Sequence, residues 1–446
     1  MQYTEIGKTW MKLTLVSGHA RRDKSFRFTS LAHLLDAEYL RDCYGSLNRD
    51  KAVGIDNISW KDYGADLEKN LTGLVARLKS RKYKPIPARR VYIPKSETEK
   101  RPLGISALEN KIVERGIANI LGSIYEEDFL DCSYGFRPGR SCHQALKKLN
   151  ELIVNRPTNH IVEADIKGFF DNVDHELLLD FIRIRIADPS LLTLIGRFLK
   201  AGYVDSGLLE TPESGTPQGS ILSPILANIF LHYVLDECFE TTVKNHSNGF
   251  CELVRYADDF VCTVQYGDDA ERIEKALKHR FEKHGLEIHP EKSRKFSFGR
   301  YEKVNADKQN RRANTFDFLG VTHYCAASRE GKFKVGRKTS RKKFIKKCKE
   351  MNEWLKAIRN QVKTKEWWKI LAAKLRGHFQ YYGVSENYAG ISRFYKQTLR
   401  MTHKWLNKRS QKRKMSWDKF QSYLKHYPLP QPKIVHSFYD GKCTVS

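Results

Sequence analysis

Tyr256-Ala257-Asp258-Asp259 places two carboxylates side by side between apolar runs, Leu253-Val254-Arg255 before and Phe260-Val261-Cys262-Thr263-Val264 after. The β-branched and aromatic residues on both sides predict two short strands, with Ala257-Asp258 in a tight hairpin turn. Adjacent like charges repel, so a fold that fixes them together ordinarily sets a cation between them. Oxygen-only ligation suits Mg²⁺, which takes one or two carboxylates together with substrate phosphates. Taken by itself, Asp-Asp is equally a solvated turn.

A third carboxylate lies upstream, in His160-Ile161-Val162-Glu163-Ala164-Asp165-Ile166-Lys167-Gly168-Phe169-Phe170-Asp171. Ile161 to Ile166 reads as a strand, with Asp165 at its end, within reach of Asp258 and Asp259. Asp174-His175-Glu176 before Leu177-Leu178-Leu179 reads as a capped helix start, and Asp171 and Asp174 as helix-start residues rather than ligands. Three carboxylates on adjacent strand ends can hold two Mg²⁺ ions roughly 3.5–4 Å apart, the arrangement polymerases use for in-line phosphoryl displacement.

Further segments stand in a recognisable order around these. They are Tyr92-Ile93-Pro94-Lys95 with Arg101-Pro102-Leu103-Gly104-Ile105, then Ser133-Tyr134-Gly135-Phe136-Arg137-Pro138-Gly139-Arg140-Ser141, then Gly215-Thr216-Pro217-Gln218-Gly219-Ser220-Ile221-Leu222-Ser223-Pro224. After the Asp-Asp pair come His289-Pro290-Glu291-Lys292, Phe318-Leu319-Gly320 and Lys374-Leu375-Arg376-Gly377-His378-Phe379-Gln380-Tyr381-Tyr382-Gly383. With them the chain resembles a bacterial group II intron-encoded reverse transcriptase, the last segment resembling its maturase part. The likeness runs over roughly residues 30 to 435. It departs at Ser106, Asn110 and Glu114, where Pro, Asp and Gln are expected.

The resemblance implies an α+β chain with the right-hand polymerase architecture. Fingers with an N-terminal extension would span 1–157, and a palm with an antiparallel sheet core 158–325, taking in a fingers segment near 205–222. A helical, basic thumb, maturase and DNA-binding-like region would span 326–446; composition alone gives only a shift near residue 330. It also implies roles. Asp165, Asp258 and Asp259, with the Ile166 carbonyl, would ligate two Mg²⁺ ions. Lys95 and Arg101 would reach the incoming triphosphate, Gln218 would contact the nucleotide, and Gly215 and Gly219 would allow close backbone approach to a ligand. Phe170 would exclude a 2′-hydroxyl, so the substrates would be deoxynucleotides. Lys292 would donate a proton to the leaving pyrophosphate, and Phe318-Leu319-Gly320 would seat the primer end. No Cys/His-rich zinc module follows, so DNA cleavage by the protein itself is not expected.

Net charge is +27, which points to a polyanion partner. No apolar run approaches the ~20 residues of a membrane span, and Met1 to Val16 lacks a signal-peptide core. The cysteines form no Cys-x-x-Cys pair, so a reduced bacterial cytosol or nucleoid is expected. The basic charge is concentrated late: residues 331–350 hold ten Lys/Arg against one acid, and residues 391–420 again ten against Asp418. Aromatics such as Trp354, Trp367, Trp368, Tyr381 and Trp405 interleave, as in folded helices that grip phosphates rather than a disordered tail. Lys342, Lys343, Lys346, Lys347, Arg376, Arg409, Lys412 and Arg413 are the candidate nucleic-acid contacts, while His378 is an RNA contact or a core residue.

The expectation is an RNA-directed DNA polymerase that also binds its intron RNA, assists splicing and retrohomes by target-primed reverse transcription. Its partners would be intron RNA, an RNA template with a DNA or RNA primer, target DNA and deoxynucleotides, with no membrane. Alternatives are a domesticated or defence-associated enzyme of the same lineage, or a splicing-only maturase. An RNA-dependent RNA polymerase would carry a small residue in place of Phe170.

Overall fold

A computed structural model describes residues 6–94, 100–211, 213–216, 218–290, 293–409 and 414–439. Lys95, Lys292, Lys412 and Arg413, named above as candidates, lie outside the described residues. Along the chain the strands are β1 (Ala88–Pro94), β2 (Lys100–Ile105), β3 (His160–Asp165), β4 (Tyr203–Asp205), β5 (Leu208–Glu210), β6 (Cys251–Tyr256), β7 (Asp259–Val264), β8 (Arg294–Ser297), β9 (Thr315–Phe318), β10 (Val321–Ala327) and β11 (Phe333–Thr339).

The central sheet runs β6-β7-β3-β8, antiparallel throughout. Alternate residues of its strands enter different cores, as the pleat requires. Val162, Ala164, Leu253, Phe260 and Cys262 pack on one side among the helices Leu108–Tyr125, His175–Arg185 and Gly267–Lys283. Ile161, Val254 and Val261 pack on the other, with the helix Cys142–Asn155 and the C-terminal helices. Both faces are covered, which is why β7 reads as a continuous apolar run rather than an alternation. Asp165 is in phase with Ile161, and Asp259 with Val261, so both carboxylates emerge on the second face.

A second sheet, β2-β1-β4-β5, joins the β1–β2 hairpin to β4 through a parallel pairing of Ala88 with Tyr203. A third, β11-β10-β9, carries the chain into the helices Arg341–Ile358, Thr364–Tyr382, Tyr388–Asn407 and Trp417–His426. The fold class is α+β, as expected. Among the described residues no helix is long and apolar enough to cross a membrane.

Two local expectations are corrected. Spacing predicts a single helical face for Leu31, Leu34, Leu35, Tyr39 and Leu40, but the chain forms a 3₁₀ turn at Ala32–Leu34 and starts its helix at Ala37. Asp188 holds the Leu31 and Ala32 N–H groups at 2.6 and 2.7 Å, and Asp36 caps the helix at the Tyr39 N–H, 2.8 Å. Two acceptors for backbone donors fix the break that apolar spacing hides. The helix expected over Leu108 to Leu130 ends at Tyr125, where turns at Glu127 and Asp128 take over.

Candidate active site

The site is built where β3 ends beside the β6–β7 hairpin. Tyr256 pairs with Asp259, leaving Ala257-Asp258 as the turn. Ala257 has a φ of +58°, a left-handed conformation a side chain adopts at a cost. The Ala257 carbonyl accepts from Arg255 Nη1 at 3.1 Å. Gly135 lies so close that a Cβ there would stand 2.3 Å from the Ala257 nitrogen, so glycine is required for this approach.

Arg255 organises this packing. It is fully buried and bonds Asp236 through Nε at 2.7 Å and Nη2 at 2.5 Å. Its other contacts are Asn228 Oδ1 at 3.0 Å and Ser133 Oγ at 2.8 Å. The Tyr134 N–H donates to the Arg255 carbonyl, and the Arg255 N–H to Cys132, each at 2.8 Å. Asn228 Nδ2 reaches the Gly135 carbonyl, also at 2.8 Å. The Ser133–Arg137 segment is thus a brace for the carboxylate turn. Sequence reasoning picked out neither Arg255 nor Asp236. The available signal was an arginine inside an otherwise apolar strand, which needs a buried partner.

Asp165 stands opposite Asp259 in the β3–β7 ladder. Beyond it Ile166 bridges to Ile288 through bonds made by its neighbours: His289 N–H to the Asp165 carbonyl and Lys167 N–H to the Glu287 carbonyl, each 2.8 Å. Neither bond uses the Ile166 carbonyl. Burial, then repulsion from Asp165, raises the Asp258 carboxyl above its usual range, against the pull of Arg101 and Arg255. Burial, then Asp258, Asp165 and Glu163, pushes Asp259 to about 7, against a hydrogen bond from the Leu319 backbone. Elevation of Asp258 and Asp259 by burial and by neighbouring carboxylates marks groups that share one electrostatic site. The donor set is all oxygen and suits a hard divalent cation. Among the described residues no three His, Cys, Asp or Glu side chains are gathered so that they could hold a metal ion as they stand.

The β2 strand brings Arg101 within electrostatic reach of Asp258. Phe170 is half-buried, edge-on to Phe169 at 5.3 Å between ring centroids. The Thr216 N–H donates to the Phe170 carbonyl at 2.6 Å, and the Gly104 N–H to the Gln218 carbonyl at 2.7 Å. Gln218 therefore sits between the strand of Arg101 and the segment of Phe170. Its amide Nε2 donates to Asp171 Oδ1 and Oδ2 at 3.1 and 3.3 Å.

Gly215 and Gly219 are expected to leave room for a ligand. Both instead meet the chain's own backbone: a Cβ at Gly215 would lie 2.9 Å from the Phe170 and Asp171 carbonyl oxygens, and one at Gly219, 2.6 Å from the Gly104 oxygen. Both have positive φ, +91° and +110°. The Ser106 and Glu114 departures answer each other, Ser106 Oγ donating to Glu114 Oε1 at 2.9 Å while the Ile221 N–H donates to Oε2 at 2.8 Å. Burial pushes the Glu114 carboxyl up against these bonds. Asn110 accepts from the Tyr83 hydroxyl at 2.9 Å and donates to the Ile86 carbonyl at 2.7 Å. Asp174 caps its helix at the Leu177 N–H, 2.7 Å, as its sequence context predicts.

On the far side, Leu319 has a φ of +51° and its carbonyl accepts from the Tyr381 hydroxyl at 3.2 Å. Lys342, Lys343, Lys346 and Arg376 are exposed, while Lys347 pairs with Glu350 at 2.8 Å. Lys343 lies beside the turn at Gly320. Arg409 bonds Thr364 Oγ1 at 2.6 Å. His378 is a core residue, its ring stacked on Phe394 at 3.6 Å; burial lowers its pKa to about 3.

Residues 93–323 match the family described as reverse transcriptase (RNA-dependent DNA polymerase). The chain is 40% identical over 222 residues to the group II intron-encoded protein LtrA of Lactococcus lactis subsp. cremoris, covering 49% of this chain and 37% of that protein. It is 38% identical over 220 residues to protein YkfC of Escherichia coli strain K12, covering 48% and 58%. It is 41% identical over 167 residues to an uncharacterized 91 kDa protein in the cob intron of Schizosaccharomyces pombe, covering 37% and 20%. The chain thus spans less than two thirds of the length of each of these relatives.

Proposed function

The chain belongs to the reverse transcriptase family, in its group II intron-encoded branch, and from that premise we propose that it extends a DNA or RNA 3′ end along an RNA template with deoxynucleotides. The observation that carries this reading is the ladder pairing of Asp165 with Asp259 beside the braced Ala257-Asp258 turn. Mg²⁺ held by Asp165, Asp258, Asp259 and the Ile166 carbonyl would activate the primer hydroxyl and neutralise the triphosphate.

Arg101 and Lys95 bind the triphosphate oxygens, to which a guanidinium fork is well matched. Phe170 closes the sugar side of the pocket and excludes a 2′-hydroxyl. Gln218 orients the nucleotide between these groups. Lys292 gives the leaving pyrophosphate its proton. Leu319 and Gly320 seat the primer end next to Asp259. The exposed lysines at 342, 343 and 346, with Lys347, Arg376, Arg409, Lys412 and Arg413, bind phosphates of intron RNA and target DNA. That grip supports splicing and target-primed insertion.

Primer extension tests the reading directly. The wild type should extend a DNA primer on an RNA template in Mg²⁺, while Asp258→Asn should lose extension and keep RNA binding. Near-normal extension by the purified variant would overturn the site assignment.

A further inference from the structure

A cleft of about 440 Å³ opens between the helices Arg341–Ile358, Thr364–Tyr382 and Tyr388–Asn407. Its volume lies within the roughly 300–1,000 Å³ of sites that take small organic ligands. Exposed Tyr381 gives it an aromatic wall, the buried stack of His378 on Phe394 closes its base, and Lys374 and the Lys347–Glu350 pair contribute the charge of its lining. We infer that this cleft receives an unstacked nucleobase of a single-stranded RNA, with the lysines meeting the phosphates on either side; this rests on the reading of the chain as an RNA-binding polymerase.

The chemistry of the lining selects that occupant. A phosphate alone has no use for an aromatic wall, and an apolar ligand none for two lysines. A nucleotide within a strand has a π-face and flanking negative charge, and both halves of the cleft answer it. The setting agrees. The helix Arg341–Ile358 begins within the run of residues 331–350 that carries ten Lys/Arg and one acid. Tyr381 lines the cleft and also donates to the Leu319 carbonyl at 3.2 Å, so the cleft adjoins the segment beside Asp259.

Gly377 supplies a second observation. It lies inside the helix Thr364–Tyr382, lines the cleft, and a Cβ built on it meets nothing within 4 Å. Glycine weakens a helix interior relative to alanine. No neighbour in the chain requires its bareness, whereas a side chain there would stand in the cleft. Gly18, Gly45, Gly73 and Gly122 are equally bare inside their helices, so what Gly377 adds is its place: the helix backbone is open to an occupant of the cleft there.

The test compares two probes of equal charge, decaadenylate and a decamer of abasic ribose phosphate, by fluorescence anisotropy. The wild type should bind decaadenylate at least about tenfold more tightly, within the range of one stacked base. Gly377→Leu puts a branched side chain into the cleft and should shrink that preference by about tenfold, leaving abasic binding unchanged because the lysines remain. An undiminished preference in a folded Gly377→Leu protein would overturn the inference, as would equal binding of the two probes by the wild type. Leucine should hold or raise the melting temperature of a helix that carried glycine. If it lowers it, Gly377→Met, unbranched and able to bend past a neighbour, is judged by the same two outcomes. Primer extension by the wild type is read separately. Its absence would count against the polymerase reading, and extension with an undiminished base preference in the variant against the cleft alone.

Discussion

The Gln218 amide donates to both carboxylate oxygens of Asp171, so the residue next to Phe170 in sequence sets which end of that amide faces away. A carboxylate accepts and does not donate, so only the NH₂ end can turn toward it. Oε1 is then the end presented to a ligand, and the amide cannot flip without losing its anchor.

A double-mutant cycle checks the consequence. Gln218→Ala and Asp171→Asn should each raise the KM for deoxynucleotide more than they lower kcat, because both loosen substrate orientation. The double variant should be little worse than Gln218→Ala alone, since residues in one hydrogen-bonded unit are not additive. Additive losses would show that Asp171 acts through the backbone of the loop at 213–216 and not through the amide.

A metal bound at Asp259 would be coupled to protons through its elevated carboxyl. Its folded pKa, about 7, lies above the ordinary carboxylate value, so the folded state binds that proton more tightly than the unfolded chain. For the metal-free protein this contribution to stability is intact below the unfolded pKa and declines as pH rises toward about 7. Mg²⁺ competes with the same proton, so the rise in melting temperature on adding Mg²⁺ should grow between about pH 6 and about pH 8. Asp259→Asn should flatten that dependence. A Mg²⁺ effect of equal size at both pH values in the wild type would separate Asp259 from metal binding.

The Arg255–Asp236 pair separates folding from chemistry. Removing one partner of a buried pair costs about 3–5 kcal/mol, so Asp236→Ala should lower the denaturant midpoint sharply. Replacing both, Arg255→Met with Asp236→Leu, should recover much of that stability. Extension should stay low in the double variant, because the Ala257 carbonyl loses the Nη1 donor that holds the turn. Recovery of extension in parallel with stability would reduce the pair to a folding element.

What the sequence discloses follows from the range of the forces involved. Asp165 and Asp259 sit at strand ends and Asp258 in the turn between strands, and the β-branched and aromatic residues on both sides were enough to place them. Asp174 announced its cap within three residues. Arg255 could not announce Asp236, because the partner lies on another element and the bond exists only after packing. Gly215 and Gly219 were recognisable as close-approach positions, yet nothing local says whether a ligand or the backbone of Phe170 and Gly104 makes the approach. The coupled departures at Ser106 and Glu114 are the same case: each looked like an isolated change until the hydrogen bond joined them. Spacing misled at Leu31–Leu40, where Asp188, far along the chain, takes the donors that would have continued a helix.

The basic helix Arg341–Ile358 offers a quantitative prediction. Lys342, Lys343 and Lys346 are exposed, and Lys347 is engaged with Glu350 in a solvated pair that costs little to break. If all four neutralise phosphates, RNA binding must fall with salt along a log–log slope near −0.7 to −0.9 per contact, from release of condensed counterions. Removing the four together should flatten that slope by up to about three units. The carboxylates lie on another element, so extension on a saturating short primer–template should change less than binding to a long structured RNA. Lys343 tempers this, since it lies beside the Gly320 turn that adjoins Leu319 and Asp259. Restoring Lys343 alone should therefore recover extension on short duplexes more than it recovers the salt slope. A quadruple variant with the wild-type slope would identify the run as a solvated face. One inactive on short duplexes even with Lys343 restored would place the remaining lysines on the primer–template itself.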